Sequence, residues 1–265
     1  MSKKIAIVTG GTSGIGRATA LALQECGYTV YELSRRAEGM PDIRHIVADI
    51  TKEETLQAAV EQVLAAEGRL DLVVNNAGFG ISGAIEFTDT QEAQRLFDTL
   101  FFGMVRMNRC VIPLMRQQGH GRIVNISSVA APVPIPFQAY YSAGKAAINA
   151  YTMALANELR PFGVTVCAVM PGDIKTGFTA ARHKIIDGDD IYQGRIGRSV
   201  QRMEHDEQTG MDPAKVGRYI AAVASREGSH HPLYATRIDY KFFVFLTKVL
   251  PARFLNWLIY QLYGK

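Results

Sequence analysis

Short apolar runs alternate with longer amphipathic segments over the first 170 residues, and this alternation limits the possible folds more than any other feature. The apolar runs predict six β-strands, and the segments between them have the spacing of helices that bury one face. Strands that alternate with helices form βαβ units, whose right-handed crossovers build a parallel sheet with helices on both faces. The sequence therefore predicts an α/β fold with a doubly wound parallel sheet.

The predicted strands cover residues 5–8, 28–33, 43–48, 70–74, 122–126 and 164–169. The predicted helices cover residues 14–26, 52–67, 92–118, 140–160 and 213–225. No stretch is typical of an interdomain linker, so residues 1–265 are predicted to form a single domain with a C-terminal helical extension. Ligands of doubly wound sheets bind outside the carboxyl ends of the strands, where the most informative motifs of this chain also fall.

Composition excludes several classes of protein. Hydrophobic residues make up 48% of the chain, which is too many for a disordered protein. The net charge is only +4 and no block of five like charges occurs, so no nucleic-acid-binding surface is expected. The first strand is predicted to begin at Ile5, and its apolar run is too short for a signal peptide. These features favour a cytoplasmic protein, with membrane association left open.

The cysteines and histidines lack the spacing of a metal site. The three cysteines lie far apart, which is typical of reduced thiols in a reducing compartment, and the histidines of the last third are equally dispersed. No metal is therefore expected. The residues considered are Cys26, Cys110, Cys167, His183, His205, His230 and His231.

The turn after the first predicted strand is rich in glycine, with the spacing Gly-x-x-x-Gly-x-Gly from Gly10 to Gly16. Glycines let the backbone approach a pyrophosphate, and the N-terminus of the next helix offers free N–H groups and a positive potential. A plain tight turn has the same composition. The position between a strand and a helix favours the nucleotide site.

The second predicted strand ends in Ser34-Arg35-Arg36. An acidic residue at this position would bind the ribose 2′-hydroxyl of NAD, whereas arginines pair with a 2′-phosphate and so favour NADP(H). Arg17 could add charge on the same side, and a solvated arginine pair is the alternative. Asp49, after the third strand, could accept a hydrogen bond from the adenine amino group or cap the next helix.

A serine, a tyrosine and a lysine form the candidate catalytic set. Tyr141 and Lys145 lie one helical turn apart and share a face, and Ser128 follows the fifth strand. A lysine ammonium beside a tyrosine is expected to lower the pKa of the phenol. Ser128 would then hydrogen-bond a substrate carbonyl oxygen while Tyr141 exchanges a proton with it. Tyr140 points about 100° away around the helix and is expected to line the pocket or join the core.

These motifs, together with 75–78 (Asn-Asn-Ala-Gly) and 171–176 (Pro-Gly-Asp-Ile-Lys-Thr), resemble the short-chain dehydrogenase/reductase family over about residues 3–177. The resemblance implies a Rossmann-like fold and an oxidoreductase that transfers hydride between NADP(H) and a carbonyl or secondary alcohol. It also implies a homodimer or homotetramer, with Ser128, Tyr141 and Lys145 as catalytic residues. The implied cofactor contacts are Gly10, Thr12, Ser13, Gly14, Ile15, Gly16, Ser34, Arg35, Arg36, Asp49, Ile50, Asn76, Ala77, Gly78, Tyr141, Lys145, Pro171, Gly172, Ile174 and Thr176.

One position departs from the family pattern. Many members carry an asparagine in the long helix after the fourth strand, which opens that helix and holds a water in the proton relay from the lysine. Leu100 stands there in this chain and cannot hold that water, and Asn108 lies two turns further on. A rerouted or slower relay would follow, and a non-catalytic regulator that senses NADP(H) is the alternative from another functional class.

The last third of the chain is expected to contain the substrate side. Residues 177–212 are predicted to form a mobile substrate lid, with short helices at most. Residues 242–265 form a mostly apolar tail interrupted by Lys248, Pro251 and Arg253, which favours burial or a membrane-surface contact over a membrane span. Such a tail resembles the steroid and retinoid branch of the family, and implies a bulky lipophilic small-molecule substrate such as a steroid or retinoid. A 3-oxoacyl thioester reductase is the alternative, and Phe137, Tyr140 and Met170 are the expected apolar lining.

Overall fold

The computed structural model describes residues 3–226, 228 and 231–265, so His230 lies outside the described residues. Seven strands form one parallel sheet, and two short strands form a second one. The strands are β1 (Ile5–Thr9), β2 (Thr29–Ser34), β3 (Arg44–Val47), β4 (Leu72–Asn75), β5 (Ile81–Ser82), β6 (Gly121–Ile126), β7 (Val164–Met170), β8 (His183–Lys184) and β9 (Leu233–Ala235). The order in the main sheet is β3-β2-β1-β4-β6-β7-β9, and β5 pairs with β8. This is the predicted Rossmann-like arrangement.

Helices cover both faces of the main sheet. They are α1 (Gly14–Glu25), α2 (Glu53–Glu67), α3 (Thr90–Phe97), α4 (Gly103–Gln118), α5 (Ala139–Leu159), α6 (Phe178–Ala181), α7 (Arg195–Gln208), α8 (Pro213–Ser225), α9 (Ile238–Val249) and α10 (Ala252–Ile259). Asp212 caps α8 as expected, since its carboxylate accepts a hydrogen bond from the Ala214 N–H at 2.8 Å. The single helix predicted over 92–118 is instead two helices, which a π-helical turn at Asp98–Phe102 separates.

The core consists of two apolar layers, one on each side of the sheet. Alternate side chains of a strand point to opposite faces, so Ile5 and Ile7 pack with α2, α4 and α5. Ala6 and Val8 point the other way and pack with α1 and α8. Because both faces are covered, the strands are apolar throughout, and only their ends are free to carry polar side chains. The chemistry is therefore confined to the loops at the edges of the sheet.

The C-terminal third is more regular than its sequence predicted. The lid segment contains the 14-residue helix α7, which buries Ile196, Val200 and Met203. The tail folds into α9 and α10, which are separated at Pro251. Within the described residues, no helix combines the length and apolar character that crossing a membrane requires.

Candidate active site

A cavity of about 1150 Å³ opens at the carboxyl edge of the sheet and contains almost all the predicted site residues. The loops after β1, β2, β3, β4, β6 and β7 line it, and side chains from the lid and the tail complete it. Of the predicted catalytic and cofactor residues, Gly16 is the only one that does not line this cavity. It lies buried beneath the glycine-rich turn. These residues thus meet at the carboxyl edge of the sheet, as the doubly wound fold predicts.

The glycine-rich turn leaves room for a phosphate. Gly10 has a φ of +67° and donates its N–H to the Leu33 carbonyl at 2.7 Å, which fixes the turn between β1 and α1. A Cβ atom at Gly16 would collide with the Gly10 carbonyl oxygen and with Nδ2 of Asn76. Ser13 occupies the N-cap of α1 without making a side-chain cap hydrogen bond. This helix N-terminus can therefore present backbone N–H groups to a pyrophosphate.

Asparagines hold the turn against the centre of the sheet. The Thr9 hydroxyl accepts hydrogen bonds from the N–H groups of Asn76 and Ala77, at 3.0 and 3.1 Å. Asn75 donates to Asn108 at 2.8 Å and to Asn125 at 2.9 Å. Asn108 is therefore part of this buried network below the cavity. It does not take the place of the asparagine that many family members have where this chain has Leu100.

At the end of β2, the cavity is lined by Ser34, Arg35 and Arg36. Arg35 and Arg36 are exposed and make no ion pair within the part of the chain that the structure describes. The Ser34 hydroxyl is buried and lacks a hydrogen-bond partner in that same part. A 2′-phosphate would satisfy all three side chains, so these residues fit NADP(H).

Asp49 is oriented by the loop that follows it. Burial raises the pKa of Asp49, but hydrogen bonds from the Thr51 N–H and hydroxyl, together with the charge of Arg35, outweigh burial and lower it. The Thr51 N–H donates at 3.0 Å. Helix α2 has Lys52 at its N-cap, so Asp49 does not take the capping position that was one of its two predicted roles.

The catalytic set comes together where β6 meets α5. Ser128 accepts a hydrogen bond from the Ala130 N–H at 3.1 Å and is hydrogen-bonded to the Tyr141 hydroxyl. Lys145 lies one turn along α5, with its ammonium nitrogen 5.6 Å from the centre of the Tyr141 ring. That nitrogen donates to the Ile126 carbonyl at 2.7 Å. The three side chains predicted from spacing alone therefore share one wall of the cavity.

Burial controls the ionisation of this pair. It raises the pKa of Tyr141 to about 12, although the hydrogen bond with Ser128 opposes the shift. It also lowers the pKa of Lys145 to about 7. The expectation that Lys145 lowers the pKa of Tyr141 is therefore wrong for the protein alone. Both groups favour their neutral forms because both are removed from water.

Leu100 lies in the π-helical turn and is buried. Its side chain fits between two glycines: a Cβ atom at Gly78 would collide with it, and one at Gly144 would lie 3.5 Å away. Gly144 precedes Lys145 in α5. The helix therefore opens at this point without the asparagine, and an apolar side chain fills the position where that asparagine would hold water.

The substrate side of the cavity contains residues that the sequence analysis missed. Glu207 of α7 lines it, accepts a hydrogen bond from the Thr179 hydroxyl at 2.6 Å and forms an ion pair with the buried Arg182. Its charge is close enough to raise the pKa of Tyr141. The apolar lining on this side comes from Phe79, Leu100, Ile135, Phe178, Met203 and Tyr263.

The three predicted lining residues do not line this cavity. Phe137 packs edge-on against Tyr192, with ring centres 5.6 Å apart. Tyr140 packs in an apolar cluster that includes Leu100. Met170 accepts a hydrogen bond from the Asn149 side chain at 3.4 Å and faces a separate cavity. The expectation that these three residues line the pocket is wrong, because each packs against other partners.

Comparison with known proteins agrees with this geometry. The family model described as short chain dehydrogenase matches residues 4–185. The chain belongs to the short-chain dehydrogenase family. In this short-chain dehydrogenase, the family match contains every predicted catalytic and cofactor residue, and it ends inside the segment predicted as the lid.

Two similar proteins span nearly the whole short-chain dehydrogenase. A 3-ketodihydrosphingosine reductase of Bacteroides thetaiotaomicron is 38% identical over 261 residues, covering 97% of this chain and 94% of the relative. The crystal structure of a short-chain dehydrogenase from Streptomyces avermitilis has a TM-score of 0.83 at 33% identity, and covers 94% of both chains. The similarity therefore includes the lid and tail as well as the nucleotide side.

Nucleotide-bound structures similar to this short-chain dehydrogenase contain either cofactor. ElxO with NADP bound has a TM-score of 0.75 at 25% identity, and covers 91% of this chain and 99% of its own. A 3-ketoacyl-(acyl-carrier-protein) reductase from Brucella melitensis complexed with NADH has a TM-score of 0.74 at 27% identity, and covers 88% and 96%. The choice between the two cofactors therefore depends on the residues of this chain.

Proposed function

We propose that this short-chain dehydrogenase is an NADP(H)-dependent oxidoreductase that reduces the ketone of a long-chain lipophilic substrate. The observation that carries the proposal is the hydrogen-bonded Ser128–Tyr141 pair, with Lys145 beside it, on the wall of a cavity that also contains the nucleotide residues. A cytoplasmic homo-oligomer remains our expectation from the family resemblance.

The preference for NADP(H) follows from charge at a defined position. Ser34, Arg35 and Arg36 would hold the 2′-phosphate, and Gly10–Gly16 with the N-terminus of α1 would hold the pyrophosphate. Pro171, Gly172, Ile174 and Thr176 line the same cavity at the end of β7 and would flank the nicotinamide. When bound, this cofactor supplies the hydride.

The residues of the chain supply the proton and orient the carbonyl group. The Ser128 and Tyr141 hydroxyls are hydrogen-bonded partners, so a carbonyl oxygen placed beside both can accept from each of them. Tyr141 donates its proton to that oxygen as negative charge develops there, since its raised pKa keeps the phenol protonated at neutral pH. Lys145, whose pKa lies near neutrality, is placed to stabilise the phenolate that remains.

The shape and charge of the substrate side favour a ketone with a polar head and a long apolar chain. The relative from Bacteroides thetaiotaomicron is named for 3-ketodihydrosphingosine, which has an amine beside its ketone and a long alkyl chain. Glu207 offers a fixed carboxylate close to Tyr141, which suits an ammonium group on the carbon next to the carbonyl. The apolar side chains of Phe178, Met203 and Tyr263 suit the chain of such a substrate.

The deciding experiment is NADPH oxidation by the purified protein with a panel of ketones. The panel contains 3-ketodihydrosphingosine, a long-chain ketone without the amine, a steroid ketone, retinal and a 3-oxoacyl thioester. NADH replaces NADPH in a parallel series, and Tyr141→Phe is the inactive control. We expect turnover with the amino ketone and NADPH, and slower turnover with the ketone that lacks the amine.

Other outcomes would replace this proposal. Turnover confined to the thioester would identify an acyl reductase instead. Turnover confined to steroids or retinal would favour a steroid or retinoid substrate, as the resemblance of the tail implies. Tight NADPH binding without turnover on any ketone would indicate a nucleotide sensor, and Leu100 would then explain the loss of catalysis.

A further inference from the structure

Helix α9 directs its apolar face away from the protein. Ile238, Phe242, Phe245 and Val249 follow one another at intervals of four, three and four residues, which places them on one face of the helix. Their side chains are 83%, 58%, 55% and 55% exposed. Helix α10 adds exposed Phe254 and Trp257, whose rings stack with centres 5.8 Å apart. We call these six residues the outer tail face.

The outer tail face belongs to a segment that is fastened to the protein on its other side. The Tyr240 hydroxyl donates to the Asp173 carboxylate at 3.0 Å and accepts from the Asp173 N–H at 3.0 Å. Ile259 is buried, and the Tyr263 hydroxyl donates to Asp206 at 3.0 Å. The exposed apolar side chains are therefore held in place rather than carried on an unpacked tail. Several large apolar side chains left exposed within one short segment are a mark of a contact site.

The charge of the tail segment indicates which kind of partner binds the outer tail face. Residues 237–265 carry five basic side chains and one acidic side chain, so the whole excess of four positive charges in the chain lies in this segment. The acidic one, Asp239, is paired with Arg237. Lys241, Lys248 and Arg253 are exposed and make no ion pair within the described residues. A second copy of this face would add like charges to like charges, whereas an anionic lipid surface complements them.

We infer that the outer tail face docks the protein onto the surface of an anionic phospholipid bilayer. The apolar side chains would enter the boundary between headgroups and acyl chains, with the helices in the plane of the membrane and the basic side chains at the phosphates. Tyr263, at the end of the same segment, lines the active-site cavity. Docking would therefore place the cavity next to the bilayer. This inference stands whether or not the proposed substrate is correct.

The single tryptophan of the chain makes the test direct. Trp257 is the only source of tryptophan fluorescence and lies within the outer tail face. Its emission is recorded while vesicles of phosphatidylcholine, with or without about a quarter phosphatidylglycerol, are added. Brominated lipids report the depth of the ring. We expect a blue shift and quenching on the anionic vesicles, and weaker binding at about 1 M NaCl.

Two variants test the two parts of the surface. Phe242→Ser with Phe245→Ser should weaken vesicle partitioning by about tenfold or more, since each removes buried apolar area. Lys241→Glu with Lys248→Glu should abolish the preference for anionic lipid. The control is Val47→Ser with Phe162→Ser, two exposed apolar residues outside the tail, which should bind as the unchanged protein does. All variants retain Trp257, and circular dichroism and NADPH binding verify that they are folded.

Two results would overturn the inference. One is that the emission of Trp257 does not change when any of the vesicles is added. The other is emission already shifted without vesicles, together with a dimer in sedimentation that Phe242→Ser with Phe245→Ser dissociates. That second result would show that another copy of the chain covers this face.

Discussion

The nucleotide side and the substrate side of this molecule are built on different principles. The nucleotide side uses backbone: free N–H groups at the start of α1, glycines that admit a phosphate, and asparagines that tie loops to the sheet. The substrate side uses side chains brought from distant helices, with Glu207 of α7, Phe178 of α6 and Tyr263 of the tail lining one cavity. A ligand shared by many enzymes can be bound by local motifs, whereas a particular substrate needs contacts that only the complete fold assembles.

Removing the phenol is the most severe way to stop catalysis while leaving both the nucleotide side and the substrate side in place. Tyr141→Phe should lower kcat by about 10³-fold for both ketone reduction and alcohol oxidation, because the group that exchanges the proton is lost while the ring keeps its packing. NADPH binding, followed by fluorescence titration, should persist. The neighbouring Tyr140→Phe variant serves as a control and should retain activity, since Tyr140 does not line the cavity. Equal losses in the two variants would contradict the assignment.

The pH dependence tests whether the bound complex keeps the ionisation of the free protein. With a Tyr141 pKa of about 12, the phenol stays protonated and ketone reduction should lose no proton donor up to about pH 10. Alcohol oxidation needs the phenolate, so its kcat/KM should rise about tenfold per pH unit over that range. Rates in both directions at constant ionic strength provide the measurement. An oxidation plateau already reached by about pH 8 would show that Lys145 and the cofactor overcome the effect of burial.

We propose that charge at the end of β2 decides the cofactor. Arg35→Ala with Arg36→Ala should weaken NADPH binding by about 100-fold or more, because each charge-assisted hydrogen bond contributes about 1.5–3 kcal/mol. NADH binding should change little. Arg160→Ala, an exposed arginine at the end of α5, is the matched control. Parallel titrations with the two cofactors give both affinities, and an unchanged NADPH affinity would refute the 2′-phosphate assignment.

The smallest expected effect tests the role of Glu207 on the substrate side. Glu207→Gln keeps a hydrogen-bond acceptor for Thr179 but removes the negative charge, which also deprives the buried Arg182 of its ion-pair partner, so thermal denaturation verifies that the variant is folded. KM for the amino ketone should rise by about five- to tenfold, as loss of one partly exposed charge pair implies, and KM for the ketone without the amine should not change. Glu204→Gln on the same helix is the control, since Glu204 pairs with Lys184 and does not line the cavity. Equal increases for both ketones would mean that Glu207 only supports the local fold.

The nucleotide side could be predicted because its signals are local. The spacing of Gly10, Gly14 and Gly16 predicted the glycine-rich turn that borders the cavity, and Tyr141 and Lys145 are neighbours on one helix. The doubly wound parallel sheet followed from the alternation of elements, and the structure confirms it. The one local error was the break between α3 and α4, where apolar residues continue at helical spacing through the π-helical turn and conceal it.

The substrate side could not be predicted from local signals. Glu207 contacts Thr179 and Arg182 across 25 to 28 residues, and nothing in its immediate sequence indicates that contact. Strands β5 and β8 have only two residues each, so their existence depends on the partner strand. The ionisation of Tyr141 and Lys145 depends on how deeply the fold buries them, which spacing along a helix does not reveal.

The pairing of β5 with β8 has a consequence for how the cavity can open. His183 donates its N–H to the Gly80 carbonyl at 2.9 Å, and Ile185 donates to Ser82 at 2.8 Å, which clamps the first part of the lid to the nucleotide side. The next stretch runs from Ile186 to Gly194, carries two exposed isoleucines and ends at a glycine with a φ of +75°. Tyr192 in this stretch donates to Glu86 at 2.8 Å, and no residue from 186 to 194 lines the active-site cavity, so movement of this stretch alone would not open the cavity.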